Sequence, residues 1–546
     1  MHQFLLKNYP AFSVIIAYTL CAHLLLLTND LPYWDGWIYH IAIKEEHYED
    51  LLEAWNQNGR IILGEIYLWL GKYFGTVTGF HIVAVIAITV SGLLYYILLL
   101  RHSFFTPFES LIAVLLGVSY PAYQVHLAST ALFYIEALPF FIMGILLLLE
   151  NSCAPNQKNR LVWRILAHIM LIASYVSEAY VIAGLIVPFI VWARKFSEHR
   201  KIAGSLYIYY KRYADFPLVA IAYIGVMCLF MPAHGAYSNS RDINISPLAL
   251  LQSYHIYYAS ALDFNIVNLA TYRWHHDVNL ALWLALIAYG VIFYQRCIID
   301  KSARMHLLHI CFLLIVLGAI ASPFTVAQRH ASTFGFTMRH LTPVGFLVGT
   351  IFVSVVGYFV QRKTLRRHIL MGLAALSLLT LSKDYAYWQT QGAFEHSVME
   401  HMRDNKLMQN ASFLFMEKDR NYFRDRFHKN QYEMMLQEVY GTSHQWIIFS
   451  SGPLSDSMYQ DELIWHTAQC NNGGPNKAVP VDRSGCQISL QLQPSVKSLH
   501  WYTGLQYLWL RLTATEQQRR DWTRKLVDIS TEPLANCATS TSEGSN

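Results

Sequence analysis

The chain has 546 residues, 54% of them hydrophobic and only 14% charged, with a formal net charge of +5. A soluble globular protein carries about 25% charged residues. That excludes an ordinary soluble enzyme, a disordered chain or a nucleic-acid binder, and the long apolar runs are too many for one buried core.

In chain order the apolar runs predict about eleven membrane spans, at 11–27, 81–100, 109–121, 131–149, 161–176, 178–193, 216–231, 280–295, 305–321, 341–360 and 366–382, each near the roughly 20 residues a crossing helix needs. The fold expected is mainly α, a polytopic transmembrane helix bundle over 1–382. Between the first two spans, Ile38, Ile41, Leu51, Leu52, Trp55, Ile62, Ile66 and Leu70 recur at helical spacing, so amphipathic helices should lie on the membrane surface there.

Lys and Arg set the orientation, because basic loops stay cytoplasmic. Eighteen basic residues, from Lys7 to Arg367, fall in one set of loops and span ends, against seven in the longer opposite set. The N-terminus is therefore expected inside, with the first run retained as an anchor. The loops 28–80 and 322–340, and everything after 382, are then expected outside, as in the periplasm of a bacterial inner membrane.

Residues 383–546 are more polar and read as a small extracytoplasmic α/β domain. Its expected strands are Phe413 to Met416, Trp446 to Ser450 and the alternating Ile488 to Leu492, with helices over 394–408 and 424–439. The tail 536–546 reads as disordered. Cys21, Cys228, Cys297 and Cys311 read as small buried hydrophobes. Cys470 and Cys486 flank a Gly- and Pro-rich stretch, and their spacing suits a disulfide.

Candidate chemistry gathers at the outer loops. The first runs Asn29-Asp30-Leu31-Pro32-Tyr33-Trp34-Asp35-Gly36-Trp37. A carboxylate wedged among rings at a membrane boundary loses hydration, gains proton affinity and suits a general base. Asp35 is the first candidate and Asp30 the second, with a helix cap or turn role as the alternative for each. Trp34 and Tyr134 are candidate substrate contacts. Arg60, in Asn58-Gly59-Arg60, suits a phosphate clamp, or equally a lipid headgroup contact. Glu136 and Glu178 stand at the outer ends of apolar runs, where an ionisable group marks a function or a buried partner. Arg329, Arg339 and His340 lie around the next boundary and could hold a lipid-linked phosphate, or snorkel to headgroups. His275-His276-Asp277 makes a poor metal cluster, since adjacent histidines point apart.

This layout, with Asn58-Gly59-Arg60 after the acidic loop and Phe133-Tyr134-Ile135-Glu136 opening a later span, resembles the GT-C superfamily of integral membrane glycosyltransferases, most closely the bacterial O-antigen glucosyltransferases. The resemblance covers about 1–382. That family often has two adjacent acids in the first loop, whereas Asp30 and Asp35 are separated here. The resemblance implies transfer of a sugar from a polyprenyl-phosphate carrier to a glycan or glycolipid acceptor. Asp35 would then be base, Arg60, Arg339 and His340 would meet the leaving phosphate, and Glu136 and Glu178 would bind the sugar. It requires no cofactor, and a divalent Mg²⁺ or Mn²⁺ beside the phosphate is compatible with it. The rival readings are an O-antigen ligase or polymerase built on outer arginines and a histidine, a transporter or flippase, and a non-catalytic scaffold.

Overall fold

The computed structural model describes residues 2–102, 104–128, 133–154, 156–196, 202–235, 243, 246–263, 301–329, 331–332, 336–360, 362–416, 429–441, 445–448, 459–460, 485–495, 501–535 and 537. The predicted span 280–295, the tract His275-His276-Asp277, Cys470 and most of the tail 536–546 lie outside them.

In chain order the first helices are α1 (His2–Leu27), α2 (Gly36–Lys44), α3 (Tyr48–Gln57) and α4 (Ile61–Phe74). A π-helical turn, Gly75–Gly79, leads into α5 (Phe80–Arg101), then α6 (Pro107–Val118), a 3-10 segment Pro121–Leu127, α7 (Phe133–Cys153), α8 (Gln157–Ser174) and α9 (Glu178–Phe196). There follow α10 (Ile202–Tyr213), α11 (Asp215–Phe230), α12 (Pro247–Leu262), α13 (Lys301–Val326), a second 3-10 segment Phe336–Val344, α14 (Gly345–Phe359) and α15 (Lys363–Asp404). The terminal region adds α16 (Lys406–Asn410), β1 (Phe413–Met416), α17 (Lys429–Tyr440), β2 (Trp446–Ile448), β3 (Gln487–Pro494), α18 (Trp501–Thr513), α19 (Glu516–Thr523) and β4 (Val527–Ala535).

Six helical segments among the described residues are long and apolar enough to cross a membrane, or eight if each of two bent pairs is one span. The chain is therefore an integral membrane protein, and the described residues do not confirm the eleven spans expected, one of which (280–295) lies outside them. The physical reason is local. α8 is amphipathic, with Lys158, Arg160 and Arg164 in its first two turns. The pairs around Val118 and Tyr213 bend by 41° and 65°.

Helices are present over the segment between the first two predicted spans. Ile62, Ile66, Trp69 and Tyr73 form an exposed stripe along α4, the pattern of a helix with one face in lipid. α4 does not run straight into α5. The rings of Tyr67 and Phe80 lie 5.3 Å apart, whereas thirteen residues of straight helix rise about 20 Å. The chain bends at Gly75, whose φ of +86° needs a residue without Cβ.

The terminal domain is a four-stranded sheet of order β2-β1-β3-β4, with β1 parallel to both β2 and β3 and β4 antiparallel at the edge. Three strands match the sequence reading. β4 escaped it because Asp528, Glu532 and Pro533 interrupt the apolar alternation, and proline is tolerated only on an edge strand. The domain boundary drawn at 382/383 falls inside α15, a single helix of 42 residues. At 1.5 Å per residue it is about 63 Å long, twice a hydrocarbon core of about 30 Å.

α15 joins bundle and domain through the first loop. Tyr33 donates to the Trp388 carbonyl at 2.6 Å, and Trp37 Nε1 donates to buried Glu395 at 3.2 Å. Leu31, Trp37 and Ile41 enter the core of the terminal domain. Lys44 and His40 of α2 meet Glu438 of α17 at 2.7 and 3.4 Å. Asp30 meets His396 at 3.3 Å and Arg511 of α18 at 3.2 Å.

The disulfide expectation is corrected. Cys486 pairs with Cys537, with Cα atoms 4.3 Å apart, and not with Cys470. The antiparallel register sets Gln487 opposite Ala535, so the residue before β3 meets the residue just beyond β4. Sequence spacing gave no hint of a strand pairing across about fifty residues.

Two measurements check this architecture. Cys537→Ser should lower the stability of the terminal domain by about 2–4 kcal/mol, read by thermal unfolding of the detergent-solubilised chain. Reduction should reproduce the effect in the parent and leave the variant unchanged. The clasp on the first loop should also be acid-labile. Burial pushes the Asp30 carboxyl up, but the hydrogen bond and charge of His396 and the charge of Arg511 outweigh it and hold it below its free value of 3.8. Burial likewise opposes, and His40 and Lys44 overcome it, to hold Glu438 down to about 2 against a free value of 4.5. Both folded values are depressed. Their contribution is complete above the free values and disappears as pH falls from about 4.5 towards 2. Limited proteolysis of the 28–47 segment should accelerate over that window, with a smaller change in Asp30→Asn.

Candidate active site

The Asn58-Gly59-Arg60 element is the C-terminal cap of α3. The Gly59 amide donates to Asn56 O and the Arg60 amide to Trp55 O, both at 2.8 Å, with Gly59 left-handed at φ +68°. This is the paired bonding of a Schellman cap. It ends α3, starts α4 and turns the Arg60 side chain inward, where it is 9% exposed. The guanidinium sits over the Phe133 ring at 4.9 Å, in a cation–π contact.

Arg60 and Arg329 line one cavity of about 290 Å³. The other walls are almost wholly apolar, from the start of α4, the corner between α8 and α9, α11, and the end of α13, with Val181, Tyr223, Met227 and Pro323 among them. Arg329 follows directly on α13, its amide donating to Phe324 O at 2.8 Å. Residues 269 apart in sequence are thus brought to one greasy pocket, carrying two cations.

Beside the cavity the Phe133–Tyr134 pair links to the second 3-10 segment. The rings of Phe133 and Tyr134 are 4.0 Å apart, Tyr134 lies 6.1 Å edge-on to His340, and His340 stacks on Phe324 at 4.7 Å. His340 is 3% exposed. Its carbonyl accepts from Tyr257 at 2.7 Å, and Arg339 Nε approaches its Nε2 at 3.4 Å. The Tyr67 hydroxyl accepts the Phe133 amide at 2.7 Å, capping the start of α7, and half-buried Glu136 lies within electrostatic reach of it. Arg60, Arg329, Arg339, His340, Tyr134 and Glu136 therefore belong to one neighbourhood.

Asp35 stands apart from the cavity wall. It is the exposed residue before α2, with no side-chain cap bond to that helix. Trp34, directly before it, takes φ +49°, which a bulky residue rarely adopts. Its ring is clamped against Trp388 at 4.8 Å and Tyr33 at 6.1 Å. One turn along α2 from Asp35, Tyr39 packs on Trp55 and Tyr67 at 6.2 and 5.9 Å. Asp35 thus lies one helical turn from the ring cluster that carries Arg60. Asp30 sits in the ion-pair clasp described above, away from the cavity. Glu178 opens α9, and its side chain lies outside the described part. Among the described residues no group of three or more His, Cys, Asp or Glu is arranged to hold a metal ion.

Sequence reasoning missed Tyr67, Tyr175 and Tyr223. Tyr67 had a readable signal, since it follows Arg60 by seven residues and so shares its helix face. Tyr175 and Tyr223 had none, because only the packing of α8, α9 and α11 brings them to the cavity.

The cap gives a direct test. Gly59→Val forces a β-branched side chain into the left-handed region, at a cost of about 1–2 kcal/mol, and should displace Arg60. The loss should appear in thermal unfolding of the detergent-solubilised chain, whereas Asn58→Ala, which leaves the left-handed glycine in place, should cost less.

No family model matches the chain, and no curated protein or solved structure matches it.

Proposed function

We propose that the protein is a membrane glycosyltransferase moving a sugar from a polyprenyl-phosphate donor to a hydroxyl of a cell-surface glycan or glycolipid. The observation that carries this reading is the pairing of Arg60 and Arg329 on one otherwise apolar cavity. A lipid phosphate has that same division, a charged head on a hydrocarbon tail. Guanidinium groups in a low-dielectric setting stabilise a departing phosphate far more than they would in water.

In the proposed reaction the acceptor oxygen bonds to the anomeric carbon. The bond from that carbon to the phosphate oxygen breaks, and the lipid phosphate leaves with the electron pair, towards Arg60 and Arg329, with Arg339 and His340 beside them. The acceptor proton passes to Asp35, which stands in solvent one turn from the ring cluster. Glu136 and Tyr134 face the sugar. A divalent ion held between a carboxylate and the donor phosphate is compatible with this scheme.

The sidedness proposed is a cytoplasmic N-terminus with the terminal domain in an oxidising compartment, as in a bacterial periplasm. The excess of basic residues in one set of loops supports it, as does the Cys486–Cys537 disulfide.

A ligase-like reading has one observation in its favour, the exposed, cavity-remote position of Asp35 against the close set of Arg329, Arg339 and His340. The two readings separate in one assay, sugar transfer by the purified chain in vesicles. The glycosyltransferase reading expects Arg60→Ala, Arg329→Ala and Asp35→Asn each to lower turnover by about 10²–10³. Loss of activity in Arg339→Ala with Asp35→Asn unchanged selects the ligase. Unchanged turnover in both Arg60→Ala and Arg329→Ala overturns the cavity assignment.

A further inference from the structure

The terminal domain carries one helix whose outward face does not suit water. Along α18, Leu505, Trp509 and Leu512 are 36%, 66% and 74% exposed, and Tyr502 continues the row at 40%. The spacing of three, four and three residues puts all four on one stripe of the helix. The opposite stripe, Thr503, Gly504 and Tyr507, is buried against α15. The Gly504 amide donates to Thr390 Oγ1 at 2.9 Å. A side chain at 504 would strike the α15 backbone, so the two helices meet with nothing between them.

That contact fixes the depth of α18. One residue before Thr390, Gln389 Nε2 donates to Leu25 O at 2.7 Å. Seven residues beyond Gly504, Arg511 donates to Thr28 O and pairs with Asp30. Leu25 and Thr28 bracket the end of the candidate span Asn8–Leu27. Helix α18 is thus held where α1 leaves the hydrocarbon.

We propose that α18 is an interfacial helix and that the occupant of its exposed stripe is the bilayer itself. The helix's bonds to Thr28 and Asp30, just past the end of the candidate span Asn8–Leu27, put that stripe at the boundary between lipid and water. Trp509 stands at the headgroup level, where amphipathic rings settle. Arg511 points the other way, into the ion pair with Asp30. The terminal domain is therefore seated on the membrane by its own helix as well as tethered by α15, and this seat holds the first loop against the bundle. The proposal does not depend on the reaction assigned above.

The test uses the full chain in phosphatidylcholine–phosphatidylglycerol vesicles, with the photo-crosslinker benzoylphenylalanine placed separately at Trp509, Leu512 and, as control, exposed Gln517 on α19. Phospholipid adducts at 509 and 512, absent at 517, are expected by mass spectrometry. Adducts with a second copy of the chain, no lipid adduct at 509 and 512, or equal lipid adducts at all three positions each overturn the proposal. Leu512→Asp, at one of the most exposed side chains of the stripe, gives a second readout. Protease cleavage between α18 and α19 should rise in vesicles, and unchanged cleavage overturns the seating.

Discussion

The architecture depends on α15 continuing unbroken beyond the bundle. A helix of this length carries every backbone hydrogen bond internally, so it crosses from lipid to water without leaving an unpaired amide. Its buried Trp388 and Glu395 then act as fixed points for the first loop, which has little regular structure of its own between α1 and α2. Tyr33 and Trp37 reach those points. The left-handed Trp34 is tolerated because its ring is already held by Trp388. Without α15 at that height, the loop carrying Asp35 would have no reason to adopt one conformation.

The same logic accounts for the cavity. An arginine at a membrane boundary usually extends to the headgroups. Arg60 instead turns inward, because a Schellman cap sets its backbone and the Phe133 ring accepts its charge. Arg329 arrives from 269 residues further along the chain, just after the last turn of α13, and lines the same apolar cavity.

Much of this was legible in the sequence, and the exceptions have physical causes. The apolar runs gave the membrane class, a short apolar run gave β1, and period-2 alternation gave β3. Among the described residues the span count is not confirmed where helices are amphipathic or bent, as in α8 and the break after Val118. Asn-Gly before Arg60 marked a turn, but its consequence, an inward guanidinium, needed α7 to supply Phe133. The aromatic first loop was read as a reaction site, and the structure divides it. Asp30 is tied into the domain clasp, whereas Asp35 remains exposed. Proximity in sequence could not separate the two carboxylates, because the partners that tie down Asp30, His396 and Arg511, lie hundreds of residues away. The disulfide failed for the same reason, because strand register and not spacing chose the partner of Cys486.

Polar groups inside the bundle need not all mark chemistry, and the break after α6 shows why. The 3-10 segment Pro121–Leu127 leaves backbone carbonyls unpaired inside the bundle, which lipid cannot satisfy. His23 bridges the Tyr385 hydroxyl and the Val118 carbonyl at 2.9 and 3.1 Å. His81 Nε2 meets the Leu127 carbonyl at 3.4 Å, and Tyr385 donates to Tyr123 O at 3.2 Å. Trp388 closes the ring of contacts by donating to Gln124 at 2.7 Å. His23, His81 and Tyr385 each answer a backbone carbonyl at or beside the break, so their burial follows from backbone satisfaction. Glu136 answers no such need. It stands on a regular helix turn, beside Tyr67 and the two-arginine cavity. That contrast sets Glu136 apart from His23 and His81.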